Sequence, residues 1–400
     1  MKNNHLSQSE FVILDLIENI NLDSVFKEKL LATLRNAKYI AQNKLNPELF
    51  EALTWPIDIE EYVDYLRVYS SWIPQQSKNE VWNNPNTHEH QEVIDRLNHF
   101  YWLIQQPCEP NRQTILERYP WFNKWLVAYA KSWGSFLNTS ESFNQEIADS
   151  FIKYSPKYRV EDSMINGKPN NPSGWLSFNQ FFARQLNPGL RPIANPSDNA
   201  VVTSPADCTY RSHYNIDADS TIPEVTMKLT HKFATIQKLL KGSAYKDAFA
   251  GGTFVHYFLG TYSYHRFHAP VSGVIKECYP IQGLVSLDVN IKGDRFNAPD
   301  CATNGYEFNQ ARGVIIIDTT KSPYGNMGIV AVIPIGMAQV SSVNMTATIG
   351  STLLKGDEFG YFLFGGSDII VLFQEGTRPD IITNNTYRLY GTVIANCKKL

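Results

Sequence analysis

Towards its C-terminal end the chain carries Gly365-Gly366-Ser367-Asp368 between the apolar, β-prone runs Tyr361–Phe364 and Ile369–Phe373. A serine preceded by glycine has an unshielded carbonyl within reach of its own hydroxyl. Given a strained bend and a nearby base, Oγ can attack that carbonyl and convert the amide to an ester. Taken alone, however, the four residues read as an ordinary bend between two strands. Glycine supplies the positive φ and Ser-Asp the turn hydrogen bonds. Two further polar points bear on the choice. Ser204-Pro-Ala-Asp207 places an acid just after the apolar pair Val201-Val202, and Tyr264-His265-Arg-Phe-His268-Ala-Pro270 places two histidines three apart. On a strand, positions i and i+3 face opposite ways, and neither an HExxH pattern nor a cysteine partner accompanies them, so no metal site is expected. An Asp, a His and a Ser in one region are the parts of a triad: the acid orients the imidazole, which takes the hydroxyl proton. On this chemistry alone, a Ser-His-Asp hydrolase with an intact Ser367 stands level with self-cleavage.

The surrounding elements fall into two kinds. Residues 1–155 carry apolar residues at helical spacing, as in Phe11–Ile20, Phe26–Leu34, Ile59–Tyr69, Glu92–Ile104 and Trp121–Trp133. The aromatic density of the last run (Trp121, Phe122, Trp125, Tyr129, Trp133, Phe136) fits core packing better than a ligand cage. Residues 156–200 form a connector, polar from Lys157 to Pro172. It is followed by Leu176–Pro192, in which Ser177 caps a short helix that stops near Pro188-Gly189. Residues 201–400 are strand-like. The runs are Phe254–Leu259, Gly273–Tyr279, Val285–Asn290, Gly313–Asp318, Ile329–Ile333, Ile369–Phe373 and Tyr387–Ile394. The expected class is therefore α+β, with a helical N-terminal domain followed by an antiparallel β-rich one.

At 400 residues, 43% hydrophobic and 19% charged, the chain can bury a sizeable core in more than one domain. A net charge of −3 gives no electrostatic case for nucleic acid, and no basic run suggests docking on anionic lipid. The opening Met1–Gln8 lacks the apolar core of a secretory signal, and no stretch approaches the ~20 apolar residues of a membrane span. The five cysteines (108, 208, 278, 301, 397) are scattered and odd in number. They fit neither a disulfide framework nor a zinc site, and a soluble cytoplasmic enzyme is expected.

From about Leu176 onward the chain resembles the phosphatidylserine decarboxylase family of pyruvoyl enzymes. The matching stretches, in the family's order, are Phe178–Pro192, Ser204–Asp207, Leu240–Tyr245, Tyr264–Pro270, Gly336–Ser342 and Lys355–Ser367. The N-terminal part, notably Lys124–Phe136, is similar to the extra domain of a soluble branch that includes fungal tryptophan decarboxylases. The resemblance implies that Gly366–Ser367 is the scissile bond, leaving 1–366 as a β chain and 367–400 as an α chain that begins with a pyruvoyl group made from Ser367. Asp207, His268 and Ser367 are then the self-processing triad. His265 returns a proton to the substrate α-carbon after CO₂ leaves, while the pyruvoyl group withdraws the electrons much as PLP does. Three residues depart from the usual pattern: Asp368 stands where Thr or Ser is frequent, Cys208 where Gly is usual, and Ser263 where membrane-type members often carry Asp. The expected activity is removal of an α-carboxylate from an amino-acid substrate, leaning to a free, tryptophan-like amino acid. Phosphatidylserine is the alternative, and only it would require membrane contact. A hydrolase and an inactive binding module are the further rivals.

Overall fold

The structure, a computed structural model, describes residues 7–108, 114–226, 233–298, 305–338 and 342–400. The start of the chain up to residue 6, Cys301, and positions 339–341 of the Gly336–Ser342 stretch lie outside them. Six longer helices build the N-terminal half: α1 (Gln8–Leu22), α2 (Ser24–Lys44), α3 (Ile59–Tyr69), α4 (Glu92–Ile104), α5 (Pro120–Phe136) and α6 (Gln145–Tyr154). Their starts are specified locally. The side chains of Ser7, Asp23, Asp58 and Asn144 each accept a backbone N–H in the first turn of the helix that follows. The aromatic run on α5 is core: Phe122 stacks on Trp125 at 5.2 Å, and Trp125 on Tyr129 at 5.3 Å. Trp133 is fully buried, donates its indole N–H to the Trp72 carbonyl, and meets Phe364 edge-on at 5.5 Å. The helical core thus runs without a break into the β half, taking in Val285, Phe296, Ala338 and Phe364.

That half is built on an eight-stranded antiparallel sheet. Its strands are β1 (Cys208–Asn215), β2 (Thr253–Leu259), β3 (Gly273–Ile281), β4 (Arg312–Asp318), β5 (Ile329–Met337), β6 (Thr352–Leu353), β7 (Gly366–Phe373) and β8 (Tyr387–Arg388), in spatial order β6-β3-β4-β5-β7-β2-β1-β8. A three-stranded sheet of Val343–Met345, Glu358–Phe362 and Arg266–His268 packs over one face. Because side chains alternate along β7, Ile369 and Val371 join the core with Phe267, Phe359 and Phe362, whereas Ile370 and Leu372 join the opposite core with Phe254 and Phe308. Ser367 and Asp368 therefore look out of opposite faces of one central strand.

Three sequence expectations need correction. Ser367 and Asp368 are not in a bend: only Phe364-Gly365 bends, and β7 begins at Gly366, paired with Met337. Central position in the sheet explains this, since Ser367 has Gly336 on one side and Leu259 on the other. Val285–Asn290 is mostly loop, because α4 supplies the bonds a neighbouring strand would have made. Tyr101 Oη donates to the Val285 carbonyl, and the Gln105 side chain holds the Leu287 carbonyl and the Val289 N–H. Tyr387–Ile394 breaks at Gly391 (φ +83°), so Tyr387–Arg388 and Val393–Asn396 enter different sheets. Among the described residues no helix is long and apolar enough to cross a membrane.

Candidate active site

Ser367 is fully buried at the head of β7, and no described group bonds its Oγ. Gly365, two residues earlier, sits at φ +154°, a conformation that residues with a Cβ seldom adopt. The segment leading into it is clamped by aromatic packing. Phe364 lies edge-on to Trp133, Phe178 and Phe182, and its N–H donates to Asn179 Oδ1. Phe178 and Phe182 belong to the short helix Phe178–Phe182, which Ser177 caps through the Gln180 N–H as the sequence suggests. A glycine-type backbone conformation at Gly365, a ring-clamped Phe364 and a buried hydroxyl at Ser367 thus flank the Gly366 carbonyl.

The two histidines have separate surroundings. His265 is fully buried, its ring stacked on Phe182 at 3.9 Å and edge-on to Phe362. Burial, with the Arg184 guanidinium adding to it, pushes its pKa down to about 3. His268 stacks flat on Tyr390 at 3.7 Å, and burial pushes it down to about 4. Both rings are neutral at ordinary pH, so each offers one N–H and one lone pair. For His268 the assignment follows from its partners. Nδ1 lies 2.8 Å from the Gly356 carbonyl, which can only accept, so Nδ1 carries the proton and Nε2 the lone pair, 3.3 Å from Tyr264 Oη. Gly356 takes φ +88° to present that carbonyl, and the Lys355 ammonium beside it ties down the carbonyls of Asn195, Asp198 and Val201.

Asp207 does not touch His268. Arg191 takes both carboxylate oxygens, at 3.2 Å from Nε and 2.6 Å from Nη2, and the Tyr390 N–H adds a bond of 2.7 Å. The acid and the imidazole nonetheless share a neighbourhood: Tyr390 bonds one and stacks on the other, and the His268 backbone N–H donates to the Pro205 carbonyl. Ser367 is bonded to neither histidine in the uncut chain. Cys208 is buried against Ser204 Oγ at 3.2 Å, and burial pushes its thiol up to about 12, which favours the protonated form. Neither Tyr390 nor the Gly356 carbonyl was marked by any sequence signal. Arg191 lies in the family-like stretch Phe178–Pro192, where its type and spacing suggested no role. Asp368 stood out as a departure, but its partners did not: Oδ2 accepts from Tyr306 Oη at 2.5 Å and lies 3.5 Å from His256 Nε2.

A cavity of about 350 Å³ lies on the Asp368 face of β7. Tyr306 and Met337, the strand partner of Gly366, line it from the sheet; Gln105, Leu116, Glu117 and Asn123 line it from the helical half. Glu117 and Asp288 are its acids, and its described lining holds no Lys or Arg.

Residues 178–396 match the family model for phosphatidylserine decarboxylase. Phosphatidylserine decarboxylase proenzyme 2 of rice is 34% identical over 216 residues, covering 53% of this chain and 32% of the relative. The decarboxylase iboD of Amanita muscaria is 26% identical over 294 residues, covering 68% and 82%. The phosphatidylserine decarboxylase proenzyme of Clostridium novyi is 29% identical over 286 residues, covering 71% and 85%. The match thus spans about a third of the rice relative's length. A β-rich half with a Gly-Gly-Ser strand head belongs to the class of proenzymes that make a pyruvoyl group from an internal serine. The chain is a member of the phosphatidylserine decarboxylase family. The residues present fit such a group: Ser367 would become it, on the first residue of the α chain.

If Asp207 and His268 act as orienter and base, replacing either slows self-cleavage strongly. Asp207→Ala also takes the two-point carboxylate partner from the Arg191 guanidinium, which among the described residues keeps only Asp162 at 3.6 Å and the Leu190 carbonyl, so Asp207→Asn is the cleaner variant. Fragment appearance over time on a denaturing gel measures both. Normal processing in His268→Ala would move the base assignment to His265.

Proposed function

We propose that this chain is a self-processing, pyruvoyl-dependent decarboxylase whose substrate is a free amino acid, tryptophan-like side chains foremost. The observation that carries the substrate class is the cavity beside the Gly366–Asp368 segment. It has the size of a small-molecule site, draws one wall from the helical half, and shows carboxylates but no Lys or Arg among its described lining residues. The A. muscaria relative, matched over 68% of this chain, is named a decarboxylase without mention of phosphatidylserine.

In this reading the neutral imidazole of His268 accepts the Ser367 hydroxyl proton through Nε2, with the Gly356 carbonyl fixing the tautomer and Asp207 steadying the strand end through Tyr390. The pyruvoyl group, once formed, supplies the electron sink for decarboxylation. His265, packed in an apolar pocket away from His268, holds the proton due at the substrate α-carbon, and the surrounding rings exclude water from it. The two histidines thus divide processing from turnover.

The test is CO₂ release from the processed protein, offered free L-tryptophan, L-tyrosine, L-phenylalanine and L-serine in solution, and phosphatidylserine in mixed micelles. Release from a free amino acid is the expected result. Release from phosphatidylserine alone would replace the substrate assignment and keep the reaction class.

A further inference from the structure

The lone pair that self-processing needs is already in use in the uncut chain. Tyr264, buried just ahead of the strand Arg266–His268, places its Oη 3.3 Å from His268 Nε2. Since Nδ1 carries the ring proton for the Gly356 carbonyl, the hydrogen bond at Nε2 runs from the phenol to the imidazole. Ring packing holds the contact in place. The Tyr264 ring lies 5.7 Å from that of His268 and 5.6 Å from that of Tyr390, while Tyr390 lies flat on His268. Ser367 Oγ meanwhile bonds no described group. The charged groups around the imidazole are engaged with one another or with backbone. Arg266 pairs with Glu358 and Arg191 with Asp207, each at 2.6 Å, and the Lys355 ammonium binds three carbonyls.

We propose that the Tyr264 hydroxyl caps the processing base and must turn aside before His268 can serve Ser367. The proposal rests on His268 being that base. With the cap off, Ser367 Oγ bonds the Gly366 carbonyl carbon and the C–N bond between the two residues breaks. The Oγ proton passes to Nε2, and from there to the freed nitrogen of residue 367. Tyr264 is thus a positioning residue. It acts through His268, and breaking its hydrogen bond is part of the barrier to cleavage.

Full-length chain, pulse-labelled in cell-free translation and followed on a denaturing gel over a series of pH values, gives the cleavage rate. Tyr264→Phe keeps the ring stack and removes the donor. It is expected to cleave about two- to tenfold faster on the pH plateau, as befits release of one ordinary hydrogen bond. A donor to Nε2 favours the neutral imidazole. Removing it raises the His268 pKa from about 4, so the acid limb of the rate profile moves to higher pH. Replacing Tyr264 by 3-fluorotyrosine, a stronger donor of nearly the same size, should do the reverse on both counts. A folded Tyr264→Phe chain that cleaves no faster than wild type, or whose acid limb stays put, would overturn the proposal. So would faster cleavage with fluorotyrosine, and that arm decides alone if the thermal midpoint shows Tyr264→Phe to be misfolded. Failure of the decarboxylase reading shows differently, as wild-type protein that stays uncut. Failure of the base assignment shows as normal cleavage in His268→Ala.

Discussion

Ser367→Ala protein is expected to remain a single uncut chain and to release no CO₂ from any substrate. The substitution deletes one oxygen, and in the uncut fold that oxygen makes no bond to a described residue. The position is fully buried between Gly336 and Leu259 on neighbouring strands, where a methyl is well accommodated. Little stability is lost, yet the hydroxyl proposed to attack the Gly366 carbonyl is gone. Without the ester no pyruvoyl group forms, and the electron sink is missing altogether. The expected effect is therefore complete in both measurements. Fragments from Ser367→Ala, seen on a denaturing gel, would place the cleavage elsewhere.

His265→Ala should separate the two measurements. It should be processed, yet lose decarboxylation by the ~10²–10⁴-fold typical of a missing general acid. The histidines stand in different pockets, one on Phe182 and the other on Tyr390. The tautomer of His268 is fixed by the Gly356 carbonyl, with no contribution from His265. Removing the His265 ring leaves a gap beside Phe182, and fragment formation in the same sample reports whether the fold around Ser367 survives it. A cleaved variant with near-normal CO₂ release would end the role assigned to His265 and leave another donor to be found.

Much of this arrangement was legible in the sequence for physical reasons. Helical spacing on α5 announced a buried face, and the Ser177 side chain marked a helix start by a rule that acts over three residues. The spacing of His265 and His268 suggested different neighbours, and one ring lies on Phe182 and the other on Tyr390. Contacts distant in sequence were not legible. Val285–Asn290 has strand composition, but α4, some 180 residues earlier, claims its backbone groups. The Ser-Asp pair looked like a bend because turn chemistry is local, whereas pairing with β5 and β2 is decided by the sheet. Asp207 read as the partner of an imidazole, and the fold gives its oxygens to Arg191 and the Tyr390 N–H. The Tyr306–Asp368 contact joins residues 62 apart with no shared motif, so only the fold could reveal it.

The central claim is that the chain cuts itself between Gly366 and Ser367, and intact mass under denaturing conditions tests it most directly. Fresh, active protein should resolve into 1–366 and a small fragment spanning 367–400 with a blocked, pyruvoyl N-terminus. A single full-length mass in such a preparation would contradict the account and return Ser367 to the role of an intact residue.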